Sequence, residues 1–143
     1  MNIDIIKKHE GLSLKAYKCP AGVWTIGFGN TFYKDGTKVK EGDVITMSQA
    51  NELFLGVVME FAKGVEKLIK QPLTVNQKSA LVSFAYNVGL ANFAKSTLLK
   101  KVNENPLDPS IRAEFEKWNK ANGKILKGLV TRRKDEADLY FTR

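Results

Sequence analysis

The chain has 143 residues, 43% of them apolar and 27% charged, so it is long enough to bury one globular core and lacks the profile of a disordered segment. Twenty-three Lys and Arg stand against 15 Asp and Glu, a net charge of +8 that points to an anionic partner: nucleic acid, a membrane surface or a bacterial wall polymer. One cysteine, Cys19, excludes an intramolecular disulfide and a multi-cysteine zinc site, so stability has to come from packing.

The first residues alternate short apolar pairs with charge and offer no apolar stretch of signal-peptide length, and no run approaches the ~20 apolar residues of a membrane span. The expected location is therefore a cytoplasm. The pattern changes near Thr46, dividing an aromatic, glycine-rich part (1–45) from a helical part (46–143) of one domain.

Ile3, Ile6 and Lys7 share a short helical face that Gly11 ends. Two strands are expected at Ser13 to Lys18 and Val23 to Phe28, separated by a turn at Cys19-Pro20-Ala21-Gly22. Gly27 and Gly29 weaken the second strand and suggest a bulge or a close approach by another group. A fainter third strand spans Lys38 to Val44.

From Thr46, apolar residues recur at three and four residue spacing from Ala50 to Ile69, as one long amphipathic helix. Thr46 with Gln49 reads as a capping box, and Gln71-Pro72 stops the helix. Thr74 with Gln77 repeats the signature and opens a second helix that Gly89 ends. A third runs from Ser96 or Thr97 through Leu98, Leu99 and Val102 to Asn105-Pro106. Asp108-Pro109 reads as a cap with proline at the first helical position, after which Ile111, Phe115 and Trp118 share a face. The last helix is expected from Ile125 to Phe141, with Leu126, Leu129, Val130, Ala137, Tyr140 and Phe141 inward. Strands and helices are segregated along the chain, so the class is α+β.

Glu10 lies at the junction between the first helix and the sheet, where functional groups are often placed. Taken alone it reads most simply as a solvated carboxylate. The stretch from His9 to Thr31, HEGLSLKAYKCPAGVWTIGFGNT, changes that weighting, because it resembles the phage-type lysozymes of glycoside hydrolase family 24. The family signature is Glu, eight residues, Asp or Cys, five residues, Thr, and Glu10, Cys19 and Thr25 stand at those spacings. Further matches follow in order: Pro72-Leu73-Thr74, Ala80 to Phe84 with Asn87-Val88-Gly89, Ser96 to Leu99, Trp118, and Gly128-Leu129 with Arg132-Arg133 and Glu136. The resemblance covers nearly the whole chain.

It implies a lysozyme-like α+β fold, a small antiparallel sheet lobe and a larger helical lobe joined by the long helix, with a saccharide cleft between. It also implies hydrolysis of the β-1,4 bond between N-acetylmuramic acid and N-acetylglucosamine of bacterial peptidoglycan, without metal or other cofactor. Such chemistry needs a proton donor for the leaving oxygen and a group that places or activates water on the opposite face of the sugar. Glu10 fits the acid. Cys19 occupies the second carboxylate position, and an ordinary thiol is only about a few per cent ionised at pH 7. Cys19 therefore polarises the water as a minor thiolate, attacks the anomeric carbon, or shapes the site; water placement is the preferred reading, with Thr25 presenting its hydroxyl to the same water. Tyr86, Asn87 and Trp118 are expected to line the saccharide site, although packing or capping explains each of them equally well.

Rival readings are a peptidoglycan-binding module weakened in catalysis by the cysteine, and a Cys19–His9 dyad of a peptidase or amidase. Nucleic-acid binding rests on charge alone: the basic residues are spread over every segment and no recognised motif accompanies them. The expected protein is a monomer that neither binds nucleic acid nor inserts stably into a membrane, and that stays in the host cytoplasm until lysis, then acts on the wall.

Overall fold

A computed structural model describes residues 3–121 and 123–142. The order of elements is α1 (Asp4–Glu10), β1 (Ser13–Lys18), β2 (Trp24–Gly27), α2 (Met47–Leu68), α3 (Val75–Val88), α4 (Leu90–Lys95), α5 (Thr97–Glu104), α6 (Ile111–Glu116), β3 (Lys120–Ala121), β4 (Lys124–Ile125) and α7 (Lys127–Tyr140). The class is α+β, as the segregation of patterns predicts. The chain divides into two compact units: Ile6–Glu60, and the residues before Ile6 together with those from Phe61 onward. The helix α2 runs from one into the other.

In the first unit α1 buries Ile6 and stops at Gly11, whose N–H reaches the Lys7 carbonyl at 3.3 Å in the left-handed conformation that glycine adopts freely. Strands β1 and β2 pair antiparallel with Tyr17 opposite Thr25 and Lys18 opposite Trp24, and the register shifts between Ser13 and Tyr17. The expected second strand is trimmed to Trp24–Gly27, because the chain folds back at once: Ile26 and Asn30 exchange backbone hydrogen bonds of 2.8 and 2.9 Å. The expected strand at Lys38 to Val44 is not continuous. Only bridges form there, Phe32 with Lys38 and Lys15 with Val44, because the intervening chain turns where the Asp43 N–H meets the Lys40 carbonyl at 3.2 Å. Ala16, Ile26 and Val39 form one buried cluster of this unit, with Trp24, Tyr33, Ile45 and Leu53 packed on it, and Ile6, Phe28, Ala50, Phe54 and Val58 are buried as well.

The capping box of α2 is as the sequence predicts: the Gln49 N–H donates to Thr46 Oγ1 (3.1 Å) and the Thr46 N–H to Gln49 Oε1 (2.8 Å). At its other end Asn103 serves as a cap, donating to the Leu68 carbonyl at 3.0 Å and accepting from the Lys70 N–H at 2.8 Å.

In the second unit Thr74 and Gln77 form the second capping box and Gly89, at φ +96°, closes α3. The side chain of Phe84 centres an aromatic cluster, meeting Phe115 (5.7 Å) and Trp118 (5.4 Å) edge to face. The short helix α4 and the β3–β4 hairpin have no counterpart in the sequence reading. Helix α6 begins at Ile111 rather than at Pro109, since the Asp108 carboxylate closes a local turn by accepting from the Ser110 N–H (2.9 Å) and hydroxyl (2.8 Å). Helix α7 departs most from expectation. Leu126, Val130 and Phe141, read as inward, are 44%, 43% and 36% exposed, whereas Arg132, Arg133 and Glu136 are buried beside Ala137 and Tyr140.

That buried face is organised by charge. Glu136 accepts from the Ser83 hydroxyl (2.5 Å) and Arg132 Nε (3.3 Å), and Arg133 Nε lies 3.1 Å from its other oxygen. Burial pushes the Glu136 carboxyl up, against the opposing pull of the Arg133 and Arg132 guanidinium groups. Arg132 also donates to the Ser83 carbonyl at 3.1 Å, tying α7 to α3, and the Arg133 guanidinium covers the Phe84 ring at 5.0 Å.

Candidate active site

The three residues of the signature all belong to the unit Ile6–Glu60. Glu10 is the last residue of α1 and is partly buried. Its Oε2 lies 3.2 Å from where a Cβ on Gly29 would stand, and Gly29 holds φ +89°. Both facts require glycine: an L side chain there would be strained in backbone and would crowd the carboxyl group. Gly27 makes the turn that delivers Gly29, and a Cβ on it would come within 3.3 Å of Asn30 Oδ1.

Cys19 sits at the mouth of the β1–β2 hairpin. Its N–H donates to the Val23 carbonyl (3.0 Å) and its carbonyl accepts from the Gly22 N–H (2.8 Å), with Gly22 at φ +80° closing the loop. The thiol is partly exposed and is held below its ordinary range. The Val23 backbone hydrogen bond contributes most, the Ala21 backbone and the Thr25 hydroxyl add to it, and desolvation opposes them. Thr25 is buried on β2, and its Oγ1 also lies 3.0 Å from the Val23 carbonyl.

The structure thus ties Cys19 and Thr25 to one carbonyl, that of Val23, which accepts from the Cys19 N–H and from the Thr25 hydroxyl, and it sets Glu10 at the glycine turn that continues Thr25's own strand. His9 is not among the groups that act on the thiol.

Tyr86, Asn87 and Trp118 belong to the second unit. Tyr86 packs on Phe61 with ring centroids 5.3 Å apart, and Trp118 stands edge to face on Phe84 while remaining partly exposed. Asn87 is exposed at the end of α3 and its Oδ1 accepts from Arg133 at 2.6 Å. Sequence reasoning missed Arg133 as the group that orients Asn87, and Gly29 as the floor beneath Glu10. The pair Gly27-x-Gly29 was the available signal for the second; Arg132-Arg133 stood among the matched segments, but nothing there linked Arg133 to Asn87. Among the described residues no cluster of His, Cys, Asp and Glu could hold a metal ion, and no helix is long and apolar enough to cross a membrane.

A short helix that ends on Glu10, a hairpin that carries Cys19 in its loop and Thr25 on its second strand, and a mainly helical remainder make up the chain. The model of the phage lysozyme family matches residues 7–136. The chain belongs to that family. It is 45% identical over 140 residues to an endolysin of Bacillus phage PZA, an alignment that takes in 96% of this chain and 52% of the relative. The chain therefore spans about half the length of that endolysin, and the same holds for the endolysin of Bacillus phage B103. Among solved structures, an endolysin from Escherichia coli O157:H7 phage FAHEc1 superposes with a TM-score of 0.88 at 40% identity, covering 97% of this chain and 89% of that one. The muramidase domain of SpmX from Asticaccaulis excentricus superposes with a TM-score of 0.86 at 32% identity, covering 99% and 95%.

Proposed function

We propose that this protein is a muramidase that cleaves the β-1,4 bond between N-acetylmuramic acid and N-acetylglucosamine in bacterial peptidoglycan, and so lyses a host cell. The observation that carries the reading is the convergence of the Cys19 N–H and the Thr25 hydroxyl on the Val23 carbonyl, in the compact unit that also holds Glu10 against Gly29. Membership of the phage lysozyme family and the likeness to the muramidase domain of SpmX support it.

In this reading Glu10 protonates the glycosidic oxygen as the bond to the anomeric carbon breaks. A water held by Cys19 Sγ and Thr25 Oγ1 attacks the opposite face of the sugar. The hydrogen bonds that lower the Cys19 thiol enlarge its thiolate fraction, and the thiolate takes the proton the water gives up. Tyr86, Asn87 and Trp118 contact sugar: with its Oδ1 turned to Arg133, Asn87 offers its NH2 to a hydroxyl, and the exposed part of Trp118 offers a ring face. The protein works as a monomer, accumulates in the host cytoplasm and meets the wall at lysis, and its +8 charge draws it to anionic wall polymers.

Digestion of purified peptidoglycan followed by end-group analysis tests this. New reducing muramic ends are expected. New amino groups would mean an amidase or peptidase, and intact polymer with protein bound to it would mean a binding module in which the cysteine has ended hydrolysis.

A further inference from the structure

We propose that Lys7 is a positioning residue for Glu10, acting through the side chains of Phe28 and Phe54; the inference rests on the reading of Glu10 as the acid. Lys7 and Glu10 are three residues apart on α1 and so project from one face of it. The Lys7 ammonium does not turn to solvent. It lies 5.3 Å from the Phe28 ring centroid and 5.5 Å from that of Phe54, and it donates to Asn51 Oδ1 at 3.2 Å. The two rings are themselves in contact, with centroids 4.9 Å apart, and Asn51 and Phe54 are three residues apart on α2.

Phe28 is the residue before Gly29. One face of α1 therefore grips two successive residues of the hairpin turn, the ammonium on the ring of residue 28 and the carboxyl group on the bare backbone of residue 29. The same ammonium ties that face to α2 through Asn51 and Phe54. A partly desolvated cation over two rings is held more strongly than an exposed one. Its loss frees α1 to shift or roll against the turn, and the carboxyl group moves with it. Ile6 is buried on the same helix, and the Lys7 cage adds contacts to the turn and to α2.

The test compares Lys7→Met, Lys7→Arg and Glu10→Gln on purified peptidoglycan, with melting temperatures measured alongside. Met keeps the aliphatic reach onto the rings and loses the charge; Arg keeps a cation that stacks on them. Misplacement of an acid by about 1 Å costs up to about a hundredfold in rate, so Lys7→Met is expected to lower kcat roughly tenfold with KM within about twofold. Its melting temperature should be unchanged or higher, and Lys7→Arg should retain kcat within about threefold. Wild-type kcat in Lys7→Met, with Glu10→Gln inactive, would overturn the positioning role and leave the acid in place. A fall in kcat that tracks a fall in melting temperature and that Arg does not rescue would overturn it too, as a purely structural effect. Activity retained in Glu10→Gln would instead remove the reading on which the inference stands.

Discussion

The two compact units solve the placement of polar groups in opposite ways. In the unit Ile6–Glu60, positive-φ glycines at 11, 22, 27, 29, 36 and 42 shape the loops, and the signature residues stand at a helix end, in a hairpin loop and on the strand that follows it. In the other unit, charge is taken inside: Glu136, Arg132 and Arg133 are buried between α7 and α3 beside a cluster of aromatic rings. Buried charge in this protein thus fixes the packing of helices, whereas the signature residues are held by tight backbone geometry.

Breaking the buried side of that comparison should have the largest effect. Glu136→Ala leaves two interior guanidinium groups without their carboxylate, and a loss of about 3–5 kcal/mol is expected in denaturant unfolding. A loss under about 1 kcal/mol would mean that the cluster contributes nothing beyond its aliphatic packing.

The next largest effect belongs to Gly29→Ala on the other side. Its left-handed backbone costs about 1–2 kcal/mol with a side chain, and the new Cβ would meet Glu10 Oε2 at 3.2 Å. Hydrolysis rate should therefore fall further than stability, by about tenfold or more. Equal losses in the two would show that the turn matters only for folding.

Cys19→Asp sharpens the comparison at the reactive thiol. The thiol is already held low by the Val23 and Ala21 backbone and by Thr25, but a carboxylate ionises at far lower pH. The variant should keep its rate and extend activity to more acidic pH. A dead variant, together with inactivation of the wild type by alkylation, would favour covalent attack by sulfur.

The smallest effect is expected at Asp43. The Tyr33 hydroxyl, at 2.7 Å, and the Lys40 backbone hold its carboxyl below the usual range, while burial and the same carboxylate push the Tyr33 phenol up to about 12. A depressed carboxylate stabilises the fold above its ordinary range and loses that contribution as pH falls through its lowered value. Asp43→Asn should therefore lower stability slightly at neutral pH and leave it unchanged in strong acid, so that thermal unfolding followed across pH shows a flatter acid limb; an identical profile would mean that the carboxylate contributes nothing.

Local chemistry was legible in the sequence wherever a few adjacent residues decide the outcome. Thr46 with Gln49 and Thr74 with Gln77 form capping boxes because each needs only its own four residues. The β3–β4 hairpin carried a comparable signal, the Asn-Gly dipeptide at 122–123, that a search for helical periodicity passes over. Helix α7 could not be read this way. Its buried face joins Arg132, Arg133 and Glu136 to Ala137 and Tyr140, so counting apolar residues found the last two and missed the charged three. At the site, the spacing of Glu10, Cys19 and Thr25 was legible through resemblance. The approach of Glu10 to Gly29 and of Lys7 to Phe28 was not, because both contacts join residues far apart in the chain.

The account stands on Glu10 as the proton donor, and release of reducing ends from purified peptidoglycan by Glu10→Gln tests it most directly. The amide keeps the shape of the carboxyl group and cannot give up the proton. An unchanged melting temperature with reducing-end release lost is the predicted result; a folded Glu10→Gln protein that retains half the wild-type rate would contradict it.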